Sequence, residues 1–266
     1  MGRWNIRWSI LLVLWCVTGV KLAAMKVESL DRGWFFNRGY ESQAADKVTV
    51  DLPHTWNAAD AMFGNVNYYR GMSTYSRFIV VPSSENFKRV FLRVKAAQTV
   101  ADVYLDNHFV AQHKGGYTSF TVELTHLIRK GEKHKLDIRV SNAQTMEIAP
   151  ICGDFNIWGG LNRGVELLYT DDACIDPTFY GSSGVFFTQC DVSEKYAGLE
   201  MKALLSGTEM ALNDCSIEFS LLDAKRKVVL CKETSVSGKE ALVKMELNNP
   251  HLWDGVNNPY LYTGVV

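Results

Sequence analysis

Apolar and polar positions alternate with a period of two along most of the chain. Val48-Thr49-Val50-Asp51-Leu52 alternates, Thr74 to Val81 alternates and ends at Pro82, and Lys88 to Ala96 sets Val90, Leu92, Val94 and Ala96 against Arg89, Phe91, Arg93 and Lys95. That period predicts half-buried strands. Val100 to Leu105 continues it, and Asp106-Asn107-His108 predicts a tight hairpin turn into Phe109-Val110-Ala111, because Asp and Asn tolerate the positive φ such turns need. Ser119 to Leu124 and Lys135 to Val140 are two further strands. Between them Leu124 to Ile128 reads as one helical turn capped by Thr125, and Lys130-Gly131-Glu132 closes the loop. Tyr169-Thr170-Asp171-Asp172 reads as a linker, after which Gly184 to Val192, Gly198 to Leu205, Cys215 to Leu222, Lys227 to Thr234 and Ala241 to Leu247 are again strand-like, joined by polar turns such as Asp223-Ala224-Lys225-Arg226. Short strands about ten residues apart, with almost no amphipathic helix, predict an all-β chain. Its parts are a sandwich or jelly roll over residues 25–168 and a smaller immunoglobulin-like sandwich over 173–266.

The first residues break the pattern. Arg3 and Arg7 precede an almost unbroken apolar run, Ser9 to Val20, and Leu22-Ala23-Ala24 ends in small residues. The run is shorter than the roughly 18 to 20 residues of a membrane span, so residues 1–24 are expected to be a secretory signal cleaved after Ala24, which places the mature protein in the periplasm or outside the cell. Trp15 stands before Cys16 where lipoprotein processing wants a small residue.

The 266 residues are 47% hydrophobic and 21% charged, ample for two cores, and the formal net charge of -1 gives a nucleic-acid partner little electrostatic basis. Cys152, Cys174, Cys190, Cys215 and Cys231 follow the leader without a CxxC pair, so an oxidising compartment permits a bridge but the spacing imposes no disulfide framework. The histidines stand at no metal-ligand spacing, so no metal site or cofactor is expected of this chain.

Asp154-Phe155-Asn156-Ile157-Trp158-Gly159-Gly160-Leu161-Asn162-Arg163-Gly164-Val165 interrupts the strands with an acid, two aromatics and a glycine pair. Paired glycines let a backbone turn sharply or let something approach closely. Asp154 beside Trp158 offers a hydrogen-bond acceptor and a flat apolar face, which suit the hydroxyl edges and C–H faces of a sugar; a plain turn before a strand explains the same residues.

Asp51-Leu52-Pro53-His54-Thr55-Trp56-Asn57, Tyr69-Arg70-Gly71 with Tyr75, Gly115-Gly116-Tyr117-Thr118-Ser119-Phe120, the Gly159 to Arg163 stretch, and Asn249-Pro250-His251-Leu252-Trp253 leading to Asn258-Pro259-Tyr260-Leu261-Tyr262 occur in this order. Their succession resembles glycoside hydrolase family 2, most closely its bacterial beta-galactosidases. The resemblance implies a jelly-roll, galactose-binding-like domain followed by an immunoglobulin-like sandwich. It implies further that the two catalytic carboxylates lie in a TIM barrel after Val266, that a divalent or sodium ion belongs, if anywhere, to that barrel, and that the full-length enzyme is a homo-oligomer acting on a β-galactoside-like carbohydrate. By motif position Asp154 matches an acid, and Asn65 an amide, that the jelly roll of similar enzymes lends to the sugar pocket; Trp158 is the third candidate contact. No residue of this chain is assigned a catalytic role, and Glu123, Glu132, Glu147 and Glu166 read as solvated surface acids. Asn162 and Gly164 depart from the family pattern, which has an aromatic before the arginine and an acid after it, and this puts the loop's rigidity in doubt.

The remaining motif residues read more plainly. His54 and Trp56 are expected to anchor their loop in the core, Arg70 with Tyr69 and Tyr75 to sit at a rim, Trp253 to plug the junction with the barrel, and Gly115-Gly116 to form a strand-entry turn. Three functions stay open: the non-catalytic front of a secreted β-glycosidase, a free carbohydrate-binding module, and a structural scaffold.

Overall fold

The computed structural model describes residues 25–39, 48–60, 69–84, 86–149 and 156–266. Among the described residues ten strands form the first unit: β1 (Lys26–Ser29), β2 (Trp34–Arg38), β3 (Val48–Val50), β4 (Met72–Val80), β5 (Arg89–Val94), β6 (Val100–Leu105), β7 (His108–Lys114), β8 (Phe120–Glu123), β9 (Lys133–Ser141) and β10 (Val165–Thr170). They make two antiparallel sheets, one ordered β3-β2-β4-β9-β6-β7 and the other β1-β10-β5-β8. This is the jelly-roll sandwich that the alternating pattern predicts. Its core joins Trp34, Tyr75, Leu92, Val103, Ile138 and Leu167 across the two inner faces.

The second unit holds β11 (Cys174–Ile175), β12 (Val185–Cys190), β13 (Tyr196–Ser206), β14 (Ser216–Leu222), β15 (Val228–Ser235), β16 (Glu240–Asn248) and β17 (Thr263–Val265). One sheet centres on β13, which pairs with β11, β12 and β16, and the other is β15-β14-β17. Met201, Leu205, Phe219, Leu221 and Val243 fill the space between them. The five-residue α1 (Glu209–Asn213), whose N-cap Thr208 accepts from the Ala211 amide, is the one α-helix among the described residues.

Four local expectations change. Tyr169 and Thr170 belong to β10, paired with Val90 and Arg89, so the strand runs two residues into the presumed linker. Glu166 is not solvated and Glu123 is only partly so: buried Glu166 binds Lys95 at 2.8 Å and Arg93 at 3.4 Å, and half-buried Glu123 is gripped by Arg89 at 2.8 and 3.0 Å. Phe91, on the polar face of β5, is fully buried beneath the Arg89 guanidinium, 4.8 Å from its ring centroid, because these ion pairs roof that side of the sheet. Thr125 caps no helix; its Oγ accepts from the Val90 amide, and residues 125–127 form a turn whose Leu127 and Ile128 amides donate to the Leu124 carbonyl.

The Asp106–Asn107 hairpin turn is present, with φ of 49° and 66°.

Candidate functional site

The loops at one end of the first sandwich converge around residues 156–163. His54 and Trp56 follow β3, and their amides donate to the carbonyls of Leu161 (2.9 Å) and Gly159 (3.0 Å), so the two segments run side by side. The Gln98 amide donates to the Gly160 carbonyl from the far side at 3.0 Å.

Two fully buried amides lock this arrangement. Asn57 Nδ2 donates to the Ile157 carbonyl (2.9 Å) and to Asn156 Oδ1 (3.0 Å), while its Oδ1 accepts from the Gly159 amide at 2.9 Å. Asn142, just beyond β9, donates to the carbonyls of Ile157 (2.9 Å) and Tyr69 (3.1 Å) and accepts from the Gly71 amide at 2.9 Å. Each side chain thus uses both its donors and its acceptor to join segments far apart in sequence.

The glycine pair is explained by close packing. A Cβ on Gly159 would lie 2.1 Å from the Trp56 ring. One on Gly160, whose φ is +137°, would lie 2.3 Å from the His54 carbonyl oxygen and 2.7 Å from the Tyr75 hydroxyl. The loop is therefore clamped between its neighbours, and the two departures from the family pattern do not loosen it. Asn162 donates to Gln98 Oε1 at 3.2 Å, and Asp31 fills the space beside Gly164, its Oδ1 accepting from the Val165 amide at 2.9 Å.

Beneath the loop the Tyr75 hydroxyl is hydrogen-bonded to the Leu161 backbone and lies 2.8 Å from His54 Nδ1. Burial, and after it the Arg38 charge, hold this imidazole below its ordinary pKa, which favours its neutral form. Burial pushes the Tyr75 phenol far up, so it stays protonated.

Trp56 is buried and stacks 6.1 Å from Phe36, as expected of a core anchor. Tyr75 is also fully buried, which removes it from the rim where it was expected with Arg70. Tyr69 does sit at the edge, half-buried, with Arg38 5.0 Å over its ring. Gly115, with φ of +136°, makes the turn out of β7, and Gly116 lies against Gln98, whose Nε2 donates to the Tyr117 hydroxyl at 3.0 Å.

Of the three candidate sugar contacts, Trp158 is 43% exposed on the clamped loop, between buried Ile157 and Gly159. Asp154 and Asn65 lie outside the described residues. Sequence reasoning missed Asn57 and Asn142 as organisers of the site. Asn57 carried a signal, since it closes the Pro53 to Asn57 motif; Asn142 carried none beyond its place at a strand end. Among the described residues no group of three or more His, Cys, Asp or Glu side chains is arranged to hold a metal ion.

At the far end of the second unit Trp253, 64% exposed, stands at the mouth of an apolar cavity of about 570 Å³ lined also by Phe187, Leu199, Leu221, Tyr260 and Tyr262.

Residues 27–171 match the family model described as glycosyl hydrolases family 2, sugar binding domain, and residues 183–266 match the model described as glycosyl hydrolases family 2. A beta-glucuronidase of Bacteroides fragilis is 36% identical over 239 residues, covering 88% of this chain and 34% of that protein. A beta-galactosidase of Thermoanaerobacter pseudethanolicus is 26% identical, covering 80% of this chain and 28% of that protein. The solved structure of Bacteroides uniformis beta-glucuronidase 2, covalently bound to cyclophellitol-6-carboxylate aziridine, superposes with a TM-score of 0.78 at 28% identity, over 90% of this chain and 30% of that one. The chain spans about a third of the length of the curated relatives it matches. With the jelly roll, the second sandwich and the two family models in the same order along the sequence, the chain belongs to glycosyl hydrolase family 2, as the sugar-binding domain and the domain that follows it.

Proposed function

We propose that this chain is the non-catalytic front of a secreted β-glycosidase that removes a terminal sugar with retention, and that its clamped loop end completes the sugar pocket. The observation that carries the reading is the loop 156–163, held by two buried amides while Trp158 stays 43% exposed. A rigid exposed ring is a ready stacking face for a sugar, at little entropic cost on binding. Asp154 and Asn65 are the proposed hydrogen-bonding partners, one accepting from sugar hydroxyls and the other donating and accepting.

Retention requires two carboxyl groups about 5 to 5.5 Å apart, one of them forming a covalent glycosyl-enzyme. The covalently bound aziridine on the B. uniformis relative is in keeping with such chemistry there, and in this protein both groups are assigned to a barrel outside the chain. One relative is a beta-glucuronidase and another a beta-galactosidase, so nitrophenyl β-glucuronide and β-galactoside are the substrates to assay. Export rests on the basic start and apolar run of residues 1–24, which lie outside the described residues. The full-length protein is proposed to be a homo-oligomer.

The test compares the natural full-length protein with this chain alone. The full-length protein should hydrolyse one of the two glycosides, with the first-formed sugar anomer retained by NMR, and the chain alone should hydrolyse neither. Turnover by the purified chain alone, or sugar binding by the full-length protein without hydrolysis, contradicts the reading; the second result would make it a binding module.

A further inference from the structure

A cleft of about 670 Å³ opens where the two sandwiches meet, between the end of β7 with the start of β8 on one side and residues 176–181 on the other. In this cleft Tyr180 is 89% exposed and Phe179 is 41% exposed, the two rings edge to face at 4.9 Å. The two rings form a paired aromatic face at the cleft, and the Tyr180 ring is held outward by its backbone.

Tyr180 has φ of +48° and Gly181 φ of +65°. The Gly181 carbonyl accepts from Ser119 Oγ of the first sandwich at 2.8 Å, and a Cβ on Gly181 would lie 2.0 Å from the Ser119 carbonyl oxygen. The Phe179 carbonyl accepts from both the Ser182 amide and Ser182 Oγ. The turn is therefore pinned to the neighbouring domain with its ring outward.

Polar groups line the same cleft. Asp176 Oδ1 accepts from the Thr178 amide (2.8 Å) and hydroxyl (2.6 Å), which orients the carboxylate. Opposite, His113 stacks on Phe120 at 4.4 Å with its Nε2 3.3 Å from the Thr118 hydroxyl, and burial holds its pKa below the ordinary value, so it forms a neutral wall that helps to orient Thr118. The Lys114 charge is already matched by Glu147. A rigid tyrosine face beside an oriented carboxylate and hydroxyls, with the Lys114 charge matched by Glu147, suits an uncharged, hydroxyl-rich ligand with an apolar face, since the Asp176 charge disfavours an acidic one.

We propose that this cleft is a second carbohydrate-binding site, separate from the pocket completed by Trp158, that takes a neutral hexose polymer by stacking on Tyr180. The domain junction builds the site, since neither sandwich alone supplies both the ring and the groups facing it.

The experiment is affinity electrophoresis of the natural full-length protein through gels holding soluble galactan, galactomannan or xyloglucan, with acidic chondroitin as a fourth gel. Tyr180→Asn is the variant, because Asn accepts a left-handed backbone while losing the ring. At least one neutral polymer should retard the wild type, with apparent affinity at least tenfold weaker in the variant, while melting temperature and nitrophenyl glycoside turnover stay unchanged. No retardation by any neutral polymer, retardation by chondroitin only, or equal retardation of wild type and variant each overturns the proposal. Retardation requires no hydrolysis, so a protein that binds polymer without cleaving glycosides would sink the proposed enzyme function and leave this site standing.

Discussion

Single side chains decide whether the loop end is a site or a set of loose turns. Asn142 satisfies the Gly71 amide and the Tyr69 and Ile157 carbonyls in a fully buried position. A buried group deprived of its partner costs about 1 to 3 kcal/mol, so Asn142→Ala should destabilise the chain by at least about 2 kcal/mol. Thermal unfolding should show a drop of about 4 °C or more, at about 2 to 4 °C per kcal/mol for a chain of this size; an unchanged melting temperature would mean the amide is dispensable. His54 gives a pH signature. The unfolded imidazole takes up a proton near pH 6.5, while the folded one, held low by burial and then Arg38, resists it. The unfolded state therefore binds more protons as pH falls below that value, and stability present above it declines towards the folded pKa. Melting temperature should fall between pH 7.5 and 5.5, less steeply in His54→Gln, with a remainder from His113, which burial also holds low. Beyond the motif that holds Trp56 and Asn57, this residue-scale wiring was not legible in the sequence, because the partners lie up to about a hundred positions apart along the chain and the loops meet only once the sandwich has closed.

Elements were far more legible. Period-two alternation foretold β3 to β6, β8 and β9 of the first unit, and the hairpin turn foretold β7, because these strands set one face in the core and the other outward. It misjudged the outward face of β5, where Phe91 is sealed by Arg89, Arg93 and their carboxylate partners; ion pairs supply cover that a hydrophobicity pattern reads as water. The missed elements are β1, β2 and β10 in the first unit and β11, α1 and β17 in the second; the last three have two, five and three residues, too short for any period to register, and β10 is buried at all six positions, so it shows no alternation. The β6–β7 turn was readable from two residues, since Asp106 and Asn107 both adopt positive φ, the signature of a type I′ turn. Asn107→Gly should leave stability unchanged or slightly raised, and Asn107→Val should lower it by about 1 to 2 kcal/mol. Denaturant midpoints at constant slope would check both; an equal effect of the two changes would show that the turn's backbone is not the constraint.

At the scale of the whole molecule the two sandwiches are fastened as well as linked. Arg89 of β5 grips Glu123 and reaches the Asp172 carbonyl at 3.2 Å, Lys88 pairs with Asp171 at 3.3 Å, and Asp172 in turn accepts from the Thr208 hydroxyl at 2.6 Å. Composition marked residues 169–172 as a boundary, but nothing in it showed that the boundary is cross-braced. If this assembly lends its loop end to a sugar pocket, Asp154, the acid proposed for that contact, carries part of the substrate's binding. Asp154→Asn in the natural full-length protein keeps the shape and removes the charge. A hydrogen bond to a charged acceptor is worth about 1.5 to 3 kcal/mol, so kcat/KM should fall roughly tenfold to a hundredfold, at one decade per 1.36 kcal/mol, with an unchanged melting temperature. Wild-type kcat/KM, whatever the melting temperature, would contradict the claim and leave the first sandwich as scaffold alone.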